Sequence, residues 1–206
     1  MQTRLIPASH PEAIPQAQNL LKQGELVAFP TDTVYGLAAD VRNSQAIEGL
    51  YLAKDRAASK AIAVLIGRME YLVQVSVHLP LAVYRLVEAF WPGPLTLVVE
   101  RHPDLPGNLS PLATVGVRMP DHPVALTLLN GTGPLAVTSA NLANAANTTS
   151  AQAVLEQLGG RIALILDGGQ TPGGLPSTVV DCTRTELKIL RLGPITTGEI
   201  ERVLRI

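Results

Sequence analysis

The sequence predicts an α/β protein on three observations. Short β-type runs alternate with amphipathic stretches along the whole chain, glycine and proline collect between those runs, and no repeat, low-complexity block or long linker interrupts them. Pro11 to Lys22 carries Ile14, Ala17, Leu20 and Leu21 near helical spacing and stops just before Gly24, a residue suited to a helix C-terminus. Glu25 to Pro30 reads as the strand that follows, and the next segment, TDTVYGLAAD, as turn-like. Asn43 or Ser44 then caps a helix running through Ile47, Leu50, Tyr51 and Leu52 to about Lys54. Further strands are expected at Ala61 to Ile66, Leu95 to Val99, Val115 to Met119, Leu135 to Val137, Ile162 to Leu166, Thr178 to Asp181 and Lys188 to Leu190. Further helices are expected at Leu81 to Phe90, Pro123 to Leu129, Ala151 to Leu158 and Thr197 to Leu204. The connections WPGPL, HPDLPGN, NGTGP and DGGQTPGGLPS hold many of the prolines and glycines and act as turn punctuation.

A length of 206 residues with 47% hydrophobic residues suits one domain with a sizeable core. Sixteen Lys plus Arg against seventeen Asp plus Glu leave a net charge of -1, so no global basic excess marks the chain for nucleic acid and any cationic site must be local. The single Cys182 excludes an internal disulfide framework and a Cys-rich zinc site. That usage fits a reducing compartment, and the cytoplasm is the expected location. No apolar run approaches the roughly 20 residues of a membrane span, and the start MQTRLIPASHPE has no hydrophobic signal core.

Several familiar catalytic patterns are absent: GxxxxGK followed by Ser or Thr, GxGxxG, GxSxG and HExxH. His10, His78, His102 and His122 are scattered without metal-ligand spacing, so no dedicated protein metal site is expected. Cys182 lies in the β-like VVDCT, where a small buried side chain is the simpler reading than a nucleophile.

What remains is a set of clusters at the ends of strands and helices, where α/β sheets bind ligands. Pro30-Thr31-Asp32-Thr33-Val34-Tyr35-Gly36-Leu37 follows a strand, and its hydroxyls and carboxylate suit either a ligand or a capped turn. Lys54-Asp55-Arg56-Ala57-Ala58-Ser59-Lys60 concentrates three cations. If the segment is extended, Lys54 and Arg56 point to one side and call for a phosphate or carboxylate between them, the alternative being complementarity to a helix C-terminus. In Thr114-Val115-Gly116-Val117-Arg118, alternation puts Thr114, Gly116 and Arg118 on one face. An Arg among apolar neighbours needs an anionic partner, from a ligand or from a core carboxylate. Val137-Thr138-Ser139-Ala140-Asn141 follows the apolar LAV strand, with Asn144, Asn147, Thr148 and Thr149 close behind, and can bond phosphate, ribose or a base edge or make a simple turn. Ser177 opens one late strand and Arg191 ends another.

PTDTVYGL, KDR, WPGPLT, VGVRMP, TSAN, DGG, PSTVVD and ILRLGPI follow one another in an order that resembles the YrdC family, the threonylcarbamoyl-AMP synthases. The likeness runs from about Leu20 to Pro194. It implies one catalytic domain over 1–206, a twisted mixed sheet with flanking helices and a concave ligand-binding face. It also implies a reaction of L-threonine, bicarbonate and ATP to threonylcarbamoyl-AMP and pyrophosphate. By the same resemblance, Thr33, Arg118, Ser177 and the Val137 backbone match threonine-binding positions. Arg56, Lys60, Thr114, Ser139, Asn147 and Arg191 match ATP-binding positions, and Lys54, Arg56, Ser139 and Asn141 match the catalytic KxR and SxN signature. Mg2+ carried by the ATP phosphates is implied as cofactor. The implied partners are a tRNA threonylcarbamoyl transferase complex that takes the product and, more directly, tRNA or double-stranded RNA. An RNA-binding module of the same fold is the alternative function, and a carbamoyl-transfer relative from hydrogenase maturation a third. Against the module stand the net charge of -1 and the seven aromatic residues, which form no obvious stacking platform. The chain departs from the family pattern at Val64-Leu65-Ile66, where some relatives carry a His, at Lys60, and in LANAANTT after the SAN motif.

Overall fold

The computed structural model describes residues 2–57, 59–173, 175–184 and 186–205. Its strands are β1 (Arg4–Pro7), β2 (Val27–Phe29), β3 (Gly36–Asp40), β4 (Ala63–Leu65), β5 (Ser76–Val77), β6 (Leu95–Arg101), β7 (Thr114–Arg118), β8 (Leu135–Ser139), β9 (Leu164–Asp167), β10 (Thr178–Asp181) and β11 (Lys188–Arg191). Its α-helices are α1 (Ala13–Lys22), α2 (Ser44–Ala53), α3 (Leu81–Phe90), α4 (Pro123–Thr132), α5 (Ala151–Leu158) and α6 (Thr197–Leu204).

The local signals for the helices are realised in detail. Asn43 accepts from the Ala46 amide, Ser150 from the Ala153 amide, and Thr196 with Glu199 forms a reciprocal capping box. Gly24, at φ 85°, turns the chain out of α1 through a conformation that favours glycine.

The strands form one mixed sheet in the order β1-β9-β2-β3-β8-β4-β7-β6-β10-β11, with β5 on the flank of β6. This bears out the mixed α/β expectation, with one correction. The segment read as turn-like contains β3, which pairs antiparallel with both β2 and β8. GLAAD has little intrinsic strand preference, so its two neighbours impose the conformation. Its small residues also serve packing, since a Cβ on Gly36 would lie 2.9 Å from Val137 Cγ1. The short β1 and β5 and the 3-10 turn at Met69–Gln74 were not expected, and none carries a periodic signal long enough to stand out.

Side-chain alternation divides the sheet into two faces. On one face, α2, α3, α5 and α6 pack over nearly its full width against Leu37, Val64, Leu97, Val99, Val117 and Ile165. On the other, α1 and α4 cover Val27, Phe29, Ala38, Leu65, Val137 and Leu164, while β6, β7 and β10 contribute nothing to that second core. The sheet is therefore capped by helices on only part of this face, and the positions left open there are Thr96, Val98, Gly116, Arg118 and Val179. Leu128 of α4 is fully buried in the covered part. Leu128→Ala is expected to cost about 2–5 kcal/mol in urea unfolding while leaving the open face intact.

Candidate functional site

The open face is a cavity of about 490 Å³. Its floor is small and apolar: Val137, Ala63, Gly116 and Val98 lie side by side across β8, β4, β7 and β6, with Gly36 of β3 opposite Ser139. A Cβ on Gly116 would sit 3.1 Å from Thr96 Cγ2, so the glycine keeps the floor low. Hydroxyls and guanidinium groups rise around that floor. No carboxylate lines the cavity among the described residues.

At one end, Arg118 closes β7 with a side chain that is only 8% exposed. Its Nε donates to the Gly93 carbonyl (3.0 Å), its Nη1 to Thr33 Oγ1 (3.1 Å), and its Nη2 pairs with the Asp32 carboxylate. Burial pushes the guanidinium pKa down and Asp32 pushes it back up, so the charge is sustained by this pair. The core carboxylate raised as an alternative partner for Arg118 is thus present. Three of the five guanidinium N–H groups are engaged, which leaves two for a ligand. Thr33 shares a hydrogen bond with Thr31 (3.1 Å between hydroxyls), and Thr31 donates to the Val34 carbonyl (2.7 Å), so the turn after β2 is tied to itself.

Across the floor, Ser177 Oγ lies 2.7 Å from Thr96 Oγ1. Arg191, ending β11, donates to the Ser177 carbonyl through Nε (3.1 Å) and Nη2 (2.8 Å), and Nη2 also reaches Ser177 Oγ (3.2 Å). Arg56 donates to the Ala61 carbonyl (2.9 Å), and its Nε is buried without a protein partner. Burial pushes the pKa of both guanidiniums down, as expected where water is partly excluded. Ser139 and Asn147 complete the lining on the β8 side.

Eight of the residues expected from the sequence therefore meet at one cavity: Thr33, Arg56, Arg118, Val137, Ser139, Asn147, Ser177 and Arg191. Four do not line it. The pairing of Lys54 with Arg56 on one side of an extended segment is corrected. Lys54 ends α2 in helical conformation, and Asp55 follows at φ 51°, so the two cations diverge. Lys54 is 1% exposed and its ammonium donates to the carbonyls of Ser139 and Asn141. Burial, and secondarily the Arg56 charge, lowers its pKa to about 8. Asn141 turns its amide inward to the Leu142 and Ala145 carbonyls (both 2.9 Å). Lys60 is exposed and does not line the cavity, and Ala58 in the same cluster lies outside the described residues. Thr114 is on the face of Gly116 and Arg118, as alternation requires, but roughly 13 Å along the strand from Arg118.

Sequence reasoning gave no individual role to Thr31, Tyr35 and Thr96, which also line the cavity. The alternation of Leu95-Thr96-Leu97-Val98 was a usable signal for Thr96. Tyr35 carried none, because its role is long-range: its hydroxyl donates to the Gly169 carbonyl (2.7 Å) and accepts from the Gly168 amide (3.2 Å), tying the DGG turn to the cavity wall.

The fold and the cavity define a class: an α/β protein whose partly uncovered sheet face gathers guanidiniums and hydroxyls for an anionic ligand. The Sua5/YciO/YrdC family model, described as Telomere recombination, matches residues 19–193. The chain belongs to this family. A Bacillus subtilis (strain 168) protein called threonylcarbamoyl-AMP synthase is 43% identical over 194 residues, which is 93% of this chain and 56% of that protein. A Mycobacterium tuberculosis relative is 39% identical over 97% of this chain and 93% of its own length. The crystal structure of P. abyssi Sua5 complexed with L-threonine superposes with a TM-score of 0.93 at 37% identity, covering 99% of this chain and 61% of that one. E. coli YciO superposes with a TM-score of 0.85 at 25% identity over 97% of this chain and 98% of its own. The chain thus spans little more than half of some relatives and nearly all of others. No helix among the described residues is long and apolar enough to cross a membrane.

Proposed function

We propose that this chain is an L-threonylcarbamoyladenylate synthase, joining L-threonine, bicarbonate and ATP into threonylcarbamoyl-AMP with release of pyrophosphate and water. The observation that carries this reading is the convergence of Arg56, Arg118 and Arg191, from three separate segments, on one hydroxyl-lined cavity with no carboxylate among the described residues. Such a lining suits two anionic groups at once, a carboxylate and a polyphosphate. The free N–H groups of Arg118 hold the threonine carboxylate, and the Thr33 and Ser177 hydroxyls with the Val137 backbone recognise its polar groups. Arg56 and Arg191 face the phosphates, Ser139 and Asn147 the nucleoside side, and Lys60 and Thr114 the outer edge of that side. Lys54 and Asn141 act by shaping the Ser139 loop.

In the reaction, the threonine ammonium gives up a proton to solvent, and the freed amine takes up bicarbonate to form a carbamate and water. A carbamate oxygen then attacks the α-phosphorus of ATP, and the bond to pyrophosphate breaks with its electron pair leaving on the pyrophosphate. No protein nucleophile is needed, and the protein contributes alignment and neutralisation of charge. Among the described residues no three His, Cys, Asp or Glu side chains group as metal ligands. With only hydroxyl and amide oxygens at the cavity, a Mg2+ ion fits when it takes its oxygens mainly from the phosphates, where it supplies further charge neutralisation. The product is passed to a tRNA threonylcarbamoyl transferase complex in the cytoplasm.

The test is pyrophosphate release from Mg-ATP. Release is expected only when L-threonine and bicarbonate are both present. Release indifferent to threonine, or tight salt-sensitive RNA binding without any turnover, overturns the synthase reading, the latter in favour of an RNA-binding module.

A further inference from the structure

We propose that Thr96 is a further binding residue of the cavity, whose hydroxyl donates to a carboxylate oxygen of the amino-acid substrate held at Arg118. The inference rests on the reading of that end as the L-threonine site and adds to it a donor on strand β6. Thr96 lines the cavity, and its surroundings fix where its hydroxyl lies. One step beyond the pairing of Leu97 with Val117, Thr96 stands across from Arg118 of β7 on the cavity face. On its other flank Thr96 pairs with Val179 of β10, and Ser177 Oγ lies 2.7 Å from Thr96 Oγ1. The Thr96 methyl faces Gly116, where even a Cβ would come within 3.1 Å of it. A β-branched side chain has few χ1 choices, so the methyl over Gly116 holds the hydroxyl toward Ser177.

The two hydroxyls carry one proton more than the protein accepts. Arg191 is a donor only, and its Nη2 donates to Ser177 Oγ (3.2 Å). One hydroxyl proton fills the bond between Ser177 and Thr96, and the other has no protein acceptor among the described residues. Both side chains are buried, where a donor left without an acceptor is costly, so this proton is matched to a ligand. The Arg191 cation decides which proton it is. A hydroxyl that accepts from a cation becomes the stronger donor, so Ser177 donates to Thr96, and a polarised chain runs from Arg191 through Ser177 to the Thr96 proton. Ser177 keeps one lone pair with which to accept from the substrate. No carboxylate of the described residues lines the cavity to take the Thr96 proton, and across the sheet from Thr96 stands Arg118, the group that holds the substrate carboxylate.

A local feature of β11 brings Arg191 into this chain. Val180 opposes Ile189 but Val179 opposes Arg191, so Leu190 is an extra residue in the pairing of β10 with β11. Ile189 packs on the helix-covered core while Arg191 lines the cavity. Residues two apart in a regular strand share a face, and the bulge at Leu190 is what turns Arg191 toward Ser177.

The experiment is calorimetric titration of the full chain with L-threonine and with Mg-ATP. Thr96→Val keeps the methyl and the volume but removes the proton, whereas Thr96→Ser keeps the hydroxyl and removes the methyl. Threonine affinity is expected to fall about tenfold in Thr96→Val and by less than about threefold in Thr96→Ser, with Mg-ATP affinity within about threefold of wild type in both. Methyl packing alone predicts the reverse order, with Thr96→Ser the weaker binder, and that result overturns the proposal. So does equal threonine affinity in the two variants, or a fall confined to Mg-ATP, which assigns the proton to the nucleotide. A wild type that binds no threonine at all defeats the threonine-site reading itself, and this proposal with it. Should circular dichroism show Thr96→Val unfolded, Thr96→Ala is compared with Thr96→Ser by the same ratio.

Discussion

Arg118→Ala is expected to lower kcat/KM for threonine in pyrophosphate release by roughly a thousandfold, the largest single loss at the site. Truncating one partner of a buried, hydrogen-bonded charge pair typically costs about 2–5 kcal/mol or more of binding. Here the same guanidinium also holds Thr33 and the Gly93 carbonyl in place. The substitution leaves Asp32 as a buried charge without its partner, so a stability loss of about 3–5 kcal/mol should accompany the kinetic one. Arg118→Lys separates the two effects. The lysine restores a cation near Asp32 and much of the stability, yet lacks the planar fork, so its threonine KM should stay far above wild type. An Arg118→Ala enzyme with an unchanged threonine KM would exclude Arg118 from the carboxylate site.

The second large effect is expected at Lys54, and it should fall on turnover rather than on stability. In Lys54→Met the carbonyls of Ser139 and Asn141 lose their ammonium donor, which removes about 1.5–3 kcal/mol for each charged hydrogen bond. Against that, the wild type already bears a cost for holding this cation out of water. A pKa lowered to about 8 from the ordinary lysine value of 10.5 corresponds to about 3 kcal/mol. The second offsets much of the first, so the unfolding free energy at pH 7 should fall by no more than about 3 kcal/mol. The loop itself loses its anchor, and because Ser139 lines the cavity, turnover should fall by roughly a hundredfold. The pH profile carries an independent signature. Between about pH 8 and 10.5 the unfolded chain retains the Lys54 proton and the folded chain does not, so unfolding takes up a proton and stability rises with pH across that window. The buried Cys182 thiol, pushed up to about 12, and the raised Tyr35 and Tyr51 hydroxyls act in the opposite sense above about pH 9 and are common to both proteins. Urea titrations at pH 7.5, 9 and 10 should therefore show the Lys54 effect as a difference, the wild type gaining on Lys54→Met as pH rises, and a difference that stays constant would mean that the carbonyls hold the ammonium as well as water does.

Much of the site was legible because its members sit at the ends of regular elements that periodicity locates. Thr33, Ser139 and Arg191 follow or close strands and Ser177 opens one, all with visible apolar alternation, and Arg118 announces itself as a cation within such a run. Lys54 and Arg56 were misjudged for a local reason. Two residues apart in a strand they would share a side, but the positive φ of Asp55 swings the chain between them. A single-residue conformation of that kind has no periodic signature, and an aspartate in the left-handed region is permitted without being required. β3 was missed for the opposite reason, since its strand character comes wholly from the strands on either side.

The sequence by itself determined the α/β class, the near-neutral charge that confines cations to local clusters, the helix caps, and which polar segments lie at element ends. These are short-range properties, written in spacing and composition. Only the tertiary structure decided that α1 and α4 cover just part of one sheet face, that the uncovered part gathers Arg56, Arg118 and Arg191 around one cavity, and that Asp32 rather than solvent faces Arg118. Those outcomes depend on strand order, and strand order is settled by pairings between distant segments, such as β1 with β9 and β6 with β10, whose burial energy no local pattern encodes.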